Sequence, residues 1–213
     1  MSCVILVPLL PLLAALLMVV GGPGSRDRRA GFGVLPLVAA CIGAVATLVL
    51  VSSKGPIIVR LYESGSAASL ALPVGFYIDR LSAVMMVLIS LVGAIIYRYS
   101  TGYMYQDRFY VRYLGLIAFT TFVLLCMVSS ANLVMLFVFW QLLSYLLYLL
   151  AHNHSHAATL EGAFKTFTLL RIGDVAFLAG IVLAHVLYGT IEFQELFARA
   201  APTPVVLSPL PVI

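Results

Sequence analysis

Of 213 residues, 63% are hydrophobic and only 9% are charged, against about 25% charged in an ordinary soluble domain. With a mean hydropathy of +1.12, there is too little polar side chain to coat a water-soluble globule. That excludes a soluble enzyme, a disordered chain and a small secreted domain. A bilayer crossing takes about 20 apolar residues, so this is an integral membrane protein with room for about six or seven helical spans. The net charge of +4 and pI near 9.1 fit the Lys and Arg excess of cytoplasmic loops better than nucleic-acid binding. Cys3, Cys41 and Cys126 lie in apolar runs without a CxxC, as free thiols packed against helices or lipid do.

The first apolar run, Cys3 to Val20, stops at Gly21-Gly22-Pro23-Gly24, a strong breaker. No basic residue precedes it, so it reads as an anchored first helix, a cleaved signal peptide being the alternative. Arg26, Asp27, Arg28 and Arg29 form a compact basic loop, and a second span follows from Val34 to Val51. Two β-prone runs, Pro56 to Tyr62 and Leu70 to Tyr77, flank a Gly/Ser turn at Ser64-Gly65-Ser66, which predicts a hairpin outside the bilayer.

A third span is predicted over Leu81 to Tyr97. The next stretch, Arg98 to Tyr113, is rich in Tyr and Arg, as headgroup-level anchoring requires. A fourth span takes Leu114 to Val128, a tight turn Ser129 to Asn132, and a fifth span Leu133 to Leu150. The sixth helical pattern, Ala158 to Leu187, is followed by an amphipathic piece, Glu192 to Arg199, and a Pro-rich tail. The expected architecture is an all-α polytopic transmembrane bundle. Residues 1–53 hold two helices, 54–80 the extramembrane hairpin, 81–188 helices three to six, and 189–213 the amphipathic segment and tail. The basic loops after spans one and three fall on one side. Taken as cytoplasmic, that side puts the N-terminus, hairpin and tail outside.

An ionisable group within a span costs roughly 2.5–3.5 kcal/mol on the insertion scale, which makes each one a functional candidate. They concentrate in span six: Glu161 and Lys165 four apart, Arg171 and Asp174 three apart, spacings at which each pair meets on one helix face. Glu161 and Lys165 also suit the headgroup boundary, snorkelling out of it. Asp174 lies deeper, where hydrocarbon penalises its charge and Arg171 offsets the penalty. Such a balanced carboxylate can take and release protons. Gln141, within Trp140-Gln141-Leu142-Leu143-Ser144-Tyr145, must face the bundle, because an amide in lipid needs an interhelical hydrogen bond. It serves either an ion path or simple helix adhesion, and Ser144 and Tyr148 extend its stripe. His185 suits a proton-relay station or a hydrogen-bonded core histidine. His152, His154 and His156 have a spacing that suits a loop end, and no Cys or acid completes a metal site beside them. They are candidates for proton uptake, not metal binding. No Walker A, GxGxxG, HExxH or GxSxG motif occurs, so neither nucleotide nor nucleophile chemistry is expected, and no cofactor.

Several of these residues carry a family resemblance. Asn132-Leu133, Phe139-Trp140-Gln141, the run Glu161 to Phe167, Arg171-Ile172-Gly173-Asp174 and the run Gly189 to Phe193 resemble the antiporter-like proton-pumping subunit family. That family includes subunit L (chain 5) of NADH-quinone oxidoreductase, the large Mrp antiporter subunit and DabB of inorganic-carbon transporters. A looser likeness runs back to Phe76 to Ser82. In the family, the position of Gln141 usually holds a glutamate that pairs with a lysine two spans later. Gln141 is not ionisable, and the chain stops before such a lysine; together with the family's dozen or more spans built from inverted repeats, this makes an N-terminal fragment or truncated product the expectation.

The run Trp140 to Ser144, with Ala157 to Gly162 following, looks most like DabB. What the resemblance implies is a cation-conducting subunit, protons being the expected ion, with Asp174, Arg171, Lys165, Glu161, Gln141 and His185 along the path. Its partners would be membrane lipid and a soluble zinc-containing, DabA-like subunit of bicarbonate/CO2 accumulation. Other complex I or Mrp subunits are the alternative partners, and a non-conducting docking or assembly protein is the rival of another class.

Overall fold

A computed structural model of the chain describes residues 2–20, 26–62, 74–107, 109–151 and 157–200. They form α1 (Ser2–Val20), α2 (Arg26–Lys54), β1 (Ile57–Tyr62), β2 (Val74–Ile78), α3 (Arg80–Tyr103), α4 (Tyr110–Val128), α5 (Leu133–Ala151), α6 (Ala157–Tyr188) and α7 (Phe193–Ala200). Among the described residues, five segments are long and apolar enough to cross a membrane: Ala30–Lys54, Arg80–Tyr103, Tyr110–Val128, Leu133–Ala151 and Phe164–Tyr188; α1 adds a shorter apolar stretch, Leu6–Val20. The all-α polytopic bundle expected from composition is therefore the architecture observed.

Helix ends differ from those expected. α2 already begins at Arg26, and α3 and α4 run through most of the aromatic stretch 98–113. A helix satisfies its own backbone hydrogen bonds, so it continues through the headgroup zone at no cost, and Arg and Tyr are at home there. The reversal between α3 and α4 is tightened by Asp107, whose carboxylate accepts from the Phe109 N–H at 2.7 Å.

α1 packs against α2 and α4, and α3 against the same two helices, making a four-helix bundle; α5 leans on α4, and α6 on α5. Lipid tails are as apolar as leucine, so helices associate mainly where small residues let them approach closely. At Gly33 of α2, an added Cβ would collide with the Tyr97 hydroxyl; at Gly93 of α3 it would lie 2.7 Å from Thr121 Oγ1. Tyr97 is fully buried, and its hydroxyl has no hydrogen-bond partner among the described residues. Gly33→Ala is thus expected to destabilise the bundle by about 1–3 kcal/mol through overpacking. Tyr97→Phe, which removes an unpaired buried O–H, should be neutral or stabilising and should recover part of the Gly33→Ala loss. Thermal unfolding of the three variants in lipid reads both effects.

A hydrogen-bonded cap closes one end of the bundle. β1 and β2 pair antiparallel, Ile57 opposite Ile78 and Val59 opposite Phe76; the turn predicted between them lies outside the described residues. The turn between α4 and α5 then adds a row: the Tyr77 N–H donates to the Ser129 carbonyl at 2.9 Å and the Ala131 N–H to the Gly75 carbonyl at 3.1 Å. On its far side the Leu133 N–H donates to Ile191 O at 3.1 Å and the Phe193 N–H to Ala131 O at 3.2 Å. Arg60 of β1 reaches across to Glu192 at 3.6 Å, an exposed pair worth at most about 1 kcal/mol.

The cap also starts and stops helices. Asp79 caps α3 through the Ser82 N–H at 2.7 Å, and Asn132 caps α5 through the Met135 N–H at 2.7 Å. α6 ends at Gly189, whose φ of +67° is the left-handed conformation that closes a helix and favours glycine. The Arg199 guanidinium donates to the Tyr188 carbonyl, placing a cation at the negative end of α6. The consequence for function is that α5 and α6 are tied together at this end.

Candidate functional site

The antiparallel seam between α5 and α6 holds a ladder of paired side chains. Phe137 meets Phe177 edge to face at 5.6 Å between centroids. One turn along, the Trp140 Nε1–H donates to Asp174 Oδ1 at 2.9 Å. Arg171 comes next, donating both to the Gln141 side-chain oxygen and to Asp174 Oδ2, the latter at 3.3 Å. Tyr148 then packs on Phe167 at 5.2 Å, and the Arg171 guanidinium lies 4.7 Å from the same Phe167 ring, within cation–π range. Phe167, Arg171 and Asp174 share a face because they are four and three apart on α6, the helix-neighbour spacing.

Burial divides the ion pair. The Asp174 side chain is 6% exposed and that of Arg171 44%. Both residues, with Trp140 and Gln141, stand near the middle of the apolar segments Leu133–Ala151 and Phe164–Tyr188. Neither bulk water at a helix end nor an unpartnered lipid-facing surface is where Asp174 sits. Beside the ladder runs an open groove of about 520 Å³, lined by Leu136, Trp140, Leu170, Gly173, Asp174 and Phe177 among others. Chemically, this is a carboxylate with two donors next to a guanidinium with two acceptors, a set able to exchange partners without leaving any member alone.

Of the residues singled out from sequence, Gln141, Arg171 and Asp174 are brought together, with Ser144 buried on the same helix. Lys165 and His185 lie on exposed faces of α6 on either side of the cluster. Glu161 belongs to α6, its side chain being outside the described residues, as are His152, His154 and His156. Trp140 and Phe167 are contacts that sequence reasoning misses. For Trp140 a signal exists: tryptophan gathers at membrane interfaces, and one in mid-span needs a polar partner for its N–H.

Residues 65–114 match the family described as NADH-Ubiquinone oxidoreductase (complex I), chain 5 N-terminus. Residues 130–208 match NADH:quinone oxidoreductase/Mrp antiporter, TM. The chain belongs to the antiporter-like membrane subunit family. Among relatives of this antiporter-like subunit, the chloroplastic NAD(P)H-quinone oxidoreductase subunit 5 of Zygnema circumcarinatum is 32% identical over 213 aligned residues, covering 92% of this chain and 29% of that protein. The probable inorganic carbon transporter subunit DabB1 of Halothiobacillus neapolitanus is 32% identical over 203 residues, covering 93% and 35%.

The antiporter-like subunit thus spans about a third of the length of these curated relatives. In fold it is similar to a chain of the membrane-bound sulfane sulfur reductase, an archaeal respiratory membrane complex (TM-score 0.75, 21% identity, 93% of this chain and 40% of that one). It is also similar to a chain of respiratory complex I from Thermus thermophilus (TM-score 0.72, 18% identity, 92% and 39%).

Proposed function

We propose that this antiporter-like subunit conducts protons and energises an inorganic-carbon transport complex, as a DabB-like partner of a soluble zinc-containing subunit. The observation that carries the ion-conducting reading is Asp174, a mid-span carboxylate buried between Trp140 and Arg171. A charge at that depth is costly enough to persist only for a purpose. In the proposed step a proton binds Asp174 Oδ2, and the Arg171 guanidinium, losing that acceptor, stays held by the Gln141 oxygen to which it already donates. Release of the proton on the other side lets Arg171 return. The groove beside Asp174 supplies room for the water that delivers the proton. Lys165 tunes the field around Arg171, Glu161 and His185 extend the path, and the histidines at 152, 154 and 156 serve uptake. In this reading the membrane is the bacterial inner one, the basic ends of α2, α3 and α4 are cytoplasmic and the strand cap lies outside.

The inorganic-carbon assignment is supported by similarity to DabB1 along nearly the whole chain and by Gln141, an amide at the position where the family resemblance implies a glutamate for a redox-complex subunit. A redox or Mrp-type role draws on the equal identity to the Zygnema subunit. Affinity capture of the tagged chain from native membranes separates them. The expected result is a zinc-containing soluble partner; recovery of quinone-oxidoreductase subunits instead would assign the chain to the redox complex.

A further inference from the structure

Trp140 is the chain's one tryptophan, and at hydrocarbon depth its N–H has no bulk water to satisfy it. It donates to one oxygen of Asp174, while Arg171 holds the other. The two donors differ in kind. The Trp140 ring is braced edge to face against Phe177 at 6.2 Å, and Phe177 is braced in turn by Phe137, so the indole N–H points in a fixed direction. Arg171 carries its charge at the end of a long side chain and is already shared with Gln141.

We propose that Trp140 is a positioning residue: its fixed N–H pins Oδ1 and sets the plane of the carboxyl group, so that Oδ2 is the oxygen that exchanges with Arg171. A neutral, immobile donor on one oxygen and a charged, movable one on the other make the two inequivalent, which gives the exchange a defined direction. The proposal rests on Asp174 being the ion-carrying group. Trp140 and Asp174 both line the groove, so the pair is reached from it.

The test uses 15N-indole-labelled chain in lipid nanodiscs, with flux measured in membrane vesicles holding the assembled complex. The cross-peak missing from Trp140→Phe, which keeps a ring against Phe177, identifies the Trp140 N–H. Asp174→Asn should move that proton resonance upfield, because an amide oxygen is a weaker acceptor than a carboxylate, whereas Val175→Ala on the exposed face of α6 should leave it in place. Trp140→Phe should lower flux several-fold in the parent chain and produce no further loss in the Asp174→Asn background. An unmoved resonance in Asp174→Asn overturns the contact. An equal fractional loss of flux from Trp140→Phe in both backgrounds overturns the positioning role. A moved resonance with full flux in Asp174→Asn upholds the contact while removing the ion-path reading, and the positioning role with it.

Discussion

Replacing Asp174 with asparagine is expected to lower proton flux through the assembled complex about tenfold or more, a barrier increase of roughly 1.4 kcal/mol at least, with no loss of the chain from the membrane. Asparagine has nearly the same shape, and its one side-chain oxygen keeps the Trp140 bond made at Oδ1. The NH2 at the Oδ2 position gives up the Arg171 bond and leaves Arg171 on the Gln141 oxygen, so the ladder between α5 and α6 stays joined. What it cannot do is bind and release a proton. A stability defect and a transport defect are thereby separated in one variant. Dye-quench measurements on vesicles, normalised to the amount of chain by immunoblot, give the comparison. Parent-like flux would remove Asp174 from the mechanism.

The second large effect is expected at Arg171. Arg171→Met removes the guanidinium that meets Asp174 Oδ2, Gln141 and the Phe167 ring, leaving a buried carboxylate without its cation. Breaking a buried pair in this way costs about 3–5 kcal/mol, and the half-exposed Arg171 places this case near the lower end, about 3 kcal/mol. Flux should be lost together with stability. Adding Asp174→Leu should restore part of the stability, because two apolar groups replace an ion pair at little cost while the Trp140 N–H is left without its acceptor, and should leave flux absent. Unfolding midpoints in mixed micelles, read beside the flux assay, check both halves. A double variant as unstable as Arg171→Met would show that the pair is not what the seam is built around.

Part of this site is legible in the amino-acid sequence and part is not, for physical reasons. Spans are legible because about 20 consecutive apolar residues have few other uses, and the Arg171–Asp174 pair because charges three apart on such a helix meet on one face. Gln141 is legible as a bundle-facing residue because lipid offers an amide nothing. Neighbours are less legible. A helix whose apolar residues are spread round all its sides, as in α6, carries no sequence mark saying that it packs on α5 and not on α3. The cap is likewise hidden: the Ser129–Asn132 turn and the segment at Ile191–Phe193 read singly as a turn and a loop, and become sheet rows only when β2 lies beside them. The aromatic stretch 98–113 reads as an interface and is mostly helix, because a helix meets its own hydrogen-bond needs in either environment. Trp140 reads as part of a motif, since nothing in its neighbours announces an acceptor thirty-four residues away.

In the proposed function, proton conduction turns on one event, the arrival of a proton at Asp174. Infrared difference spectra between acidic and alkaline conditions, taken on the assembled complex in lipid with 13C-labelled aspartate, observe it directly. A protonated-carboxyl C=O band that appears on acidification and vanishes in Asp174→Asn is the predicted result. A difference spectrum identical in the parent and in Asp174→Asn would contradict it.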